Sequence, residues 1–218
     1  GAAVNDLIDR KLDPHVARTA TRPLAAKTLS VRQAIGCILV LLSIALILVL
    51  QLNTLAIAIS VIAVLMTALY PFCKRFTHFP QVVLGFSFNL GILMAFAAVQ
   101  AQLNVLSFLL LASACCYTIA YDTIYAMADQ QDDQAIGILS TALFFGQHSI
   151  LMIRCFETVM IALLALIGYL LHFSPNYFVI LAAVFTIAMY QISKLHLVKH
   201  RFCNIWGVWA KTPRFCFQ

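Results

Sequence analysis

Glutamate is almost absent from this chain: of 218 residues only eight are acidic, and Glu157 is the single glutamate. Charged residues of both signs make up 10% of the sequence and apolar ones 63%, with a mean hydropathy of +0.95. So little charge excludes an ordinary soluble globule. Metal-type cysteine spacing is lacking too. The cysteines at 37, 73, 115, 116, 155, 203 and 216 form no zinc or redox motif, and several fall inside apolar runs, where they read as small buried residues. The histidines at 15, 78, 148, 172, 196 and 200 gather at no common ligand spacing. No cleavable signal peptide precedes the first polar motif, and Gly1-Ala2-Ala3-Val4 reads as the tail of a helix whose start is missing.

What the chain has instead is apolar length. Runs near 32–51, 54–71, 81–99, 104–121, 152–171 and 176–193 are each long enough to cross a bilayer. These six spans predict an all-α, polytopic transmembrane helical bundle, one domain over 1–218 with no linker. The turns at 51–53, 100–104 and 172–175 carry no Lys or Arg, whereas 9–32 carries six, 71–80 carries Lys74 and Arg75, and 194–218 carries five. By the positive-inside rule the basic segments are cytoplasmic, and span parity puts 122–149 on that same side. The formal charge of +6 is therefore assigned to membrane orientation, and nucleic acid is excluded as a partner. Membrane lipids are expected, and protein partners are unknown.

All seven aspartates fall within 5–31 or 122–149. Acidic groups removed from the spans but gathered in two loops on one face point to a cation or Mg²⁺-diphosphate site. On a helix, Asn5, Asp9 and Asp13 stand at i, i+4 and i+8, which predicts one oxygen-bearing face. The alternative is a solvated helix end with aspartate paired to Arg10 or Lys11, and the residues alone do not separate the two. In the second stretch Asp129 and Asp133 are again i and i+4. No Lys or Arg lies between Arg75 and Arg154, so this stretch has no local cation, which favours metal over ion pairing. Arg10, Arg18, Arg22, Lys74 and Arg75 on the same side are candidates for phosphate or carboxylate contacts. Arg154 and Glu157, at i and i+3, are expected to satisfy each other.

Four motifs then occur in order. Asn5-Asp6-x-x-Asp9-x-x-x-Asp13, Arg18-Thr19-Ala20-Thr21-Arg22-Pro23-Leu24, Tyr70-Pro71-Phe72-Cys73-Lys74-Arg75, and Tyr121-Asp122-Thr123-Ile124-Tyr125 with Asp129-x-x-Asp132-Asp133 and Gly137-Ile138-Leu139-Ser140-Thr141 together resemble the UbiA family of intramembrane aromatic prenyltransferases over roughly 1–195. The branch that prenylates 4-hydroxybenzoate is the nearest in pattern.

The resemblance implies Mg²⁺-dependent transfer of a polyprenyl group from an allylic polyprenyl diphosphate to 4-hydroxybenzoate, in ubiquinone biosynthesis. The enzyme would lie in a bacterial inner membrane, or a mitochondrial one, with its active-site loops on the cytoplasmic side. Asn5, Asp9 and Asp13 would serve one metal site and Asp129 and Asp133 another, with Asp6 and Asp132 as supporting or alternate ligands. Tyr70 and Lys74 match the family's Tyr-x-x-x-Lys element, Lys74 helping to hold diphosphate. Arg10, Arg18 and Arg22 would bind substrate, and Arg75 the acceptor's carboxylate. Three departures stand out: Leu139 replaces a usual Lys, the chain lacks the first span and most of the second, and the stretch from Cys203 onward leaves the family pattern. Other readings are another aromatic acceptor, an inactive fragment, or a cation transporter, which would instead hold its carboxylates near mid-membrane.

Overall fold

The computed structural model describes residues 1–16 and 18–209, with side chains described as far as Lys194; the divergent stretch from Cys203 onward thus lies outside the described side chains. Among the described residues every regular element is helical. A short α1 (Ala2–Asp9) is followed by the long helices α2 (Val31–Val49), α3 (Thr54–Cys73), α4 (Pro80–Gln100) and α5 (Val105–Ile136). A single turn and a half, α6 (Thr141–Phe145), then leads to α7 (Ser149–Leu170) and α8 (Pro175–Trp209). The six long apolar helices match the six expected spans, and the chain is an integral membrane protein.

Helix starts follow local chemistry. Ser30 and Gln33 form a capping box on α2, Asn104 and Ser107 form one on α5, and Asn53 accepts from the Ala56 amide to begin α3. These groups satisfy N–H donors that hydrocarbon could not. At its other end α5 closes on Gly137, at φ 73°, where the Gly137 and Ile138 amides donate to the Asp133 carbonyl. A left-handed residue at this place favours glycine.

Neighbours in the chain pack in sequence, α3 on α4, α4 on α5, α5 on α7 and α7 on α8. Lipid provides no hydrophobic drive between helices, so small residues and side-chain hydrogen bonds hold the contacts. Asn89 of α4 donates to the Ala114 carbonyl and the Thr118 hydroxyl of α5. Ser113 of α5 donates to the Met160 carbonyl of α7, and Tyr177 of α8 to the Leu164 carbonyl of α7. The main apolar cluster, built on Ala56, Ile59, Leu90, Leu93, Ala97, Leu111 and Cys115, joins α3, α4 and α5.

Two local expectations are corrected. The stretch 122–149 is not a loop from its start: α5 continues to Ile136, and at 1.5 Å per residue its 32 residues reach about 48 Å, well past the ~30 Å hydrocarbon core. Arg154 does not turn to Glu157; its Nη2 donates to Ser193 Oγ of α8 at 3.0 Å, a contact that ties α7 to α8.

At Gly168 of α7 the Tyr177 ring of α8 lies directly against the helix. A Cβ there would land on the Tyr177 ring, which cannot easily retreat because its hydroxyl is bonded to the Leu164 carbonyl. Gly168→Ala is expected to destabilise the fold by about 1–3 kcal/mol through overpacking, read as a lower unfolding midpoint in detergent, whereas Gly36→Ala on α2, where a Cβ meets nothing, leaves the midpoint within error or raises it.

Candidate active site

The connections 10–30, 74–79 and 137–148 lie at one end of the bundle, and between them opens a cavity of about 300 Å³. Local structure places its walls. α1 stops at Asp9, and Asp13 enters a separate 3₁₀ turn over Asp13–His15, with Pro14 near its start, where the missing N–H costs no helix bond. The predicted single face of Asn5, Asp9 and Asp13 therefore holds only for the first two. Asp13 returns to the site by another route: Arg22 Nη1 donates to it at 3.3 Å and to Asp6 at 2.8 Å, clasping the turn to α1. Burial pushes the Asp13 carboxyl above its usual range, against the pull of Arg22.

The opposite wall is α5. Asp122, Asp129 and Asp133 stand at i, i+7 and i+11, one stripe of a continuous helix facing the cavity. The absence of a basic residue near this stretch in the sequence does not leave it unpaired, because Arg18 crosses from the first loop. Its Nε donates to both Asp129 carboxylate oxygens at 3.0 Å, its Nη2 adds a third bond, and its guanidinium lies 5.4 Å from the Tyr125 ring centroid. The hydrogen bond to Asp129 holds the Arg18 pKa above its ordinary value. Lys74, which follows α3, pairs with Asp9. The Leu139 amide donates to the Lys74 carbonyl at 2.8 Å, and Gln81 of α4 accepts from the Thr141 amide at 3.1 Å. These bonds fix the third connection beside the cavity.

Of the residues singled out by sequence, Asn5, Asp13, Arg18, Arg22, Tyr70, Lys74, Asp129 and Asp133 line the cavity. Asp6 and Asp9 stand behind that wall, bonded to Arg22 and Lys74. Arg10 donates to the Leu7 carbonyl and lines a different cavity, Arg75 leans over Phe72 with Nη2 3.9 Å from Asp9, and Asp132 lies off the lining. Sequence reasoning gives no role to Asp122. Its seven-residue spacing to Asp129 is a usable helical signal, hidden when the helix is ended at the first charged residue.

Among the described residues no three carboxylates, histidines or cysteines converge on one point; Asp6, Asp9, Asp13 and Asp129 meet cations instead. Two buried oxygens are exceptions: Asn5 Oδ1 and Asp9 Oδ1 have no hydrogen-bond partner. Leaving buried acceptors unsatisfied is costly. Both are hard oxygen donors on successive turns of α1, and the cavity wall adds four carboxylates against three basic side chains. Such a donor set fits a hard divalent cation that draws its remaining ligands from phosphate oxygens.

A profile of the UbiA prenyltransferase family matches residues 1–204. The chain belongs to this family. Proteins named 4-hydroxybenzoate octaprenyltransferase from Tolumonas auensis and Idiomarina loihiensis are 44% and 43% identical to it over 201 and 222 residues. The matches cover 92% and 100% of this chain and 69% and 72% of theirs. The apo structure of a UbiA homolog from Aeropyrum pernix K1 superposes with a TM-score of 0.80 at 23% identity, over 90% of this chain and 75% of that one. A UbiA homolog from Archaeoglobus fulgidus bound to GPP and Mg²⁺ gives 0.65 at 20% identity, over 88% and 70%. A UbiA fold with its carboxylates at one end of the bundle leaves no support for the transporter reading.

The Arg18–Asp129 pair carries a measurable load. Because the Arg18 side chain is 44% exposed, solvent screening limits the gain, and a double-mutant cycle of Arg18→Gln with Asp129→Asn is expected to give a coupling of about 1 kcal/mol, measured by denaturant unfolding in detergent.

Proposed function

We propose that this protein is a 4-hydroxybenzoate polyprenyltransferase, transferring a polyprenyl group from an allylic diphosphate to the aromatic ring in ubiquinone biosynthesis. The observation that carries the reading is a cavity where both acidic motifs and three basic side chains meet, in a chain more than 40% identical to enzymes of that name. We place the protein in a bacterial inner membrane, or a mitochondrial one, with the active-site loops on the cytoplasmic side; the distribution of Lys and Arg supports that orientation.

Mg²⁺ would be held by Asn5, Asp9 and Asp13 on one side and Asp129 and Asp133 on the other, with Asp6 and Asp132 supporting. When bound, it neutralises the diphosphate leaving group as the allylic C–O bond breaks. The chain's own side chains do the rest. Arg18, Arg22 and Lys74, each now engaged with carboxylate, present charge-assisted donors to phosphate oxygens. Tyr70, Tyr121 and Tyr125 offer ring faces to the electron-poor prenyl group, and the bundle keeps it from water. The bond to the leaving oxygen takes its electron pair into diphosphate, the ring carbon beside the hydroxyl forms the new C–C bond, and that carbon's proton is lost to restore aromaticity. Arg75 reaches an acceptor carboxylate only by swinging off Phe72.

Membranes containing the chain, given radiolabelled 4-hydroxybenzoate, a polyprenyl diphosphate and either Mg²⁺ or EDTA, are expected to form lipid-soluble label with Mg²⁺ alone. Label that persists in EDTA would overturn the metal assignment, and its absence with Mg²⁺ would overturn the activity. Asp129→Ala is expected to lower turnover by roughly a hundredfold or more, the usual scale for losing preorganised electrostatic stabilisation. Leu139 lines the cavity and its backbone is bonded to Lys74, so Leu139→Lys adds a cation within reach of the phosphates and should lower the KM for diphosphate substrate.

A further inference from the structure

The basic residues of the first loop divide cleanly. Arg18 and Arg22 are bonded to aspartates and line the active-site cavity. Arg10, Lys11 and Lys27 have no carboxylate partner among the described ion pairs, and all three line a second cavity of about 360 Å³ on the other side of the same loop. The rest of its wall is Pro14, Leu24, Ala25, Leu29 and Val31, with Ser30 the one uncharged polar residue. Val31 begins α2, whose outward residues Ile35, Leu39 and Leu42 continue the apolar surface into the membrane. A cationic pocket that opens onto a lipid-facing helix at the bilayer edge matches one kind of ligand, with an anionic phosphate head and apolar chains.

The backbone gives a second, independent sign. The Thr28 amide donates to the Pro23 carbonyl at 3.0 Å and the Ala26 amide to the Arg22 carbonyl at 2.8 Å. Lys27 therefore occupies the left-handed position of this turn, at φ 58°. Glycine is the residue that this position favours. A lysine there carries backbone strain and a long mobile side chain, and the turn directs it to the cavity that Arg10 and Lys11 also line. Among the described residues no ion pair offsets that strain.

We propose that this second cavity binds the phosphate headgroup of an anionic phospholipid, whose chains lie along α2. The bound headgroup crosslinks the two ends of the 10–30 segment, at Arg10 and Lys11 on one side and Lys27 on the other. Between them sit Asp13, Arg18 and Arg22, so the lipid steadies the loop that builds one wall of the active site. The same phosphate chemistry could come from a soluble anion, and the test separates the two sources.

The protein, purified in a zwitterionic detergent, is titrated with phosphatidylglycerol, with phosphatidylcholine, and with glycerol phosphate, and bound lipid is counted by native mass spectrometry. The wild type is expected to retain one phosphatidylglycerol in preference to phosphatidylcholine, with no competition from millimolar glycerol phosphate. The Lys11→Gln/Lys27→Gly double variant should bind it roughly tenfold or more weakly, each basic residue near an anionic headgroup being worth about a factor of five. Its unfolding midpoint should not fall, since glycine relieves the left-handed backbone and Lys11 is exposed. Equal retention by variant and wild type overturns the site, and full displacement by glycerol phosphate overturns the lipid as its occupant.

Discussion

Ion pairing across one end of the bundle is the constraint on which the rest depends. Seven aspartates in a largely apolar chain would repel one another and hold water at the bilayer edge unless neutralised. Arg18, Arg22 and Lys74 do this for four of them, Asp6, Asp9, Asp13 and Asp129, by bridging separate elements: the first loop to α5, the first loop to α1, and the end of α3 to α1. The spans can then pack through small residues and a few hydrogen bonds, since the aspartates have been gathered at one end of the bundle.

These pairs also prepare the site for its ligand. A diphosphate entering with divalent cations supplies both signs at once: phosphate oxygens for the arginines and lysine, metal for the carboxylates. The exchange needs no net change of charge in a low-dielectric pocket, and each side chain already stands where its new partner would arrive. The unpartnered Asn5 Oδ1 and Asp9 Oδ1 are the groups that the internal pairing leaves unsatisfied.

Much of this is legible in the amino-acid order. Six apolar runs locate the spans because length and hydropathy decide that question almost alone, and parity and charge place both acidic motifs at the same end. Where the pattern misleads, the reasons are physical. Asp122 reads as the end of a span, but a helix that outruns the bilayer passes through its polar boundary without stopping. Asp13 fits a helical spacing, but α1 ends at Asp9 and Asp13 falls in a separate 3₁₀ turn. Arg18 and Asp129 lie 111 positions apart, and no local pattern encodes a pairing of that range; neither does it show that Arg75, adjacent to Lys74, turns toward Phe72. Leu139 stands out in the sequence as a substitution, but only the structure places it on the cavity wall.

On the proposed reading the first loop and the end of α5 form one ligand-binding unit, joined by the Arg18–Asp129 pair, that a metal diphosphate would engage. Hydrogen exchange on the protein with Mg²⁺ and inorganic diphosphate together, compared with either alone, reads this coupling at the backbone. Amides in 10–30 and in 129–139 are expected to gain protection together, and only when both components are present. Protection confined to one segment, or unchanged by the pair, would contradict a shared site.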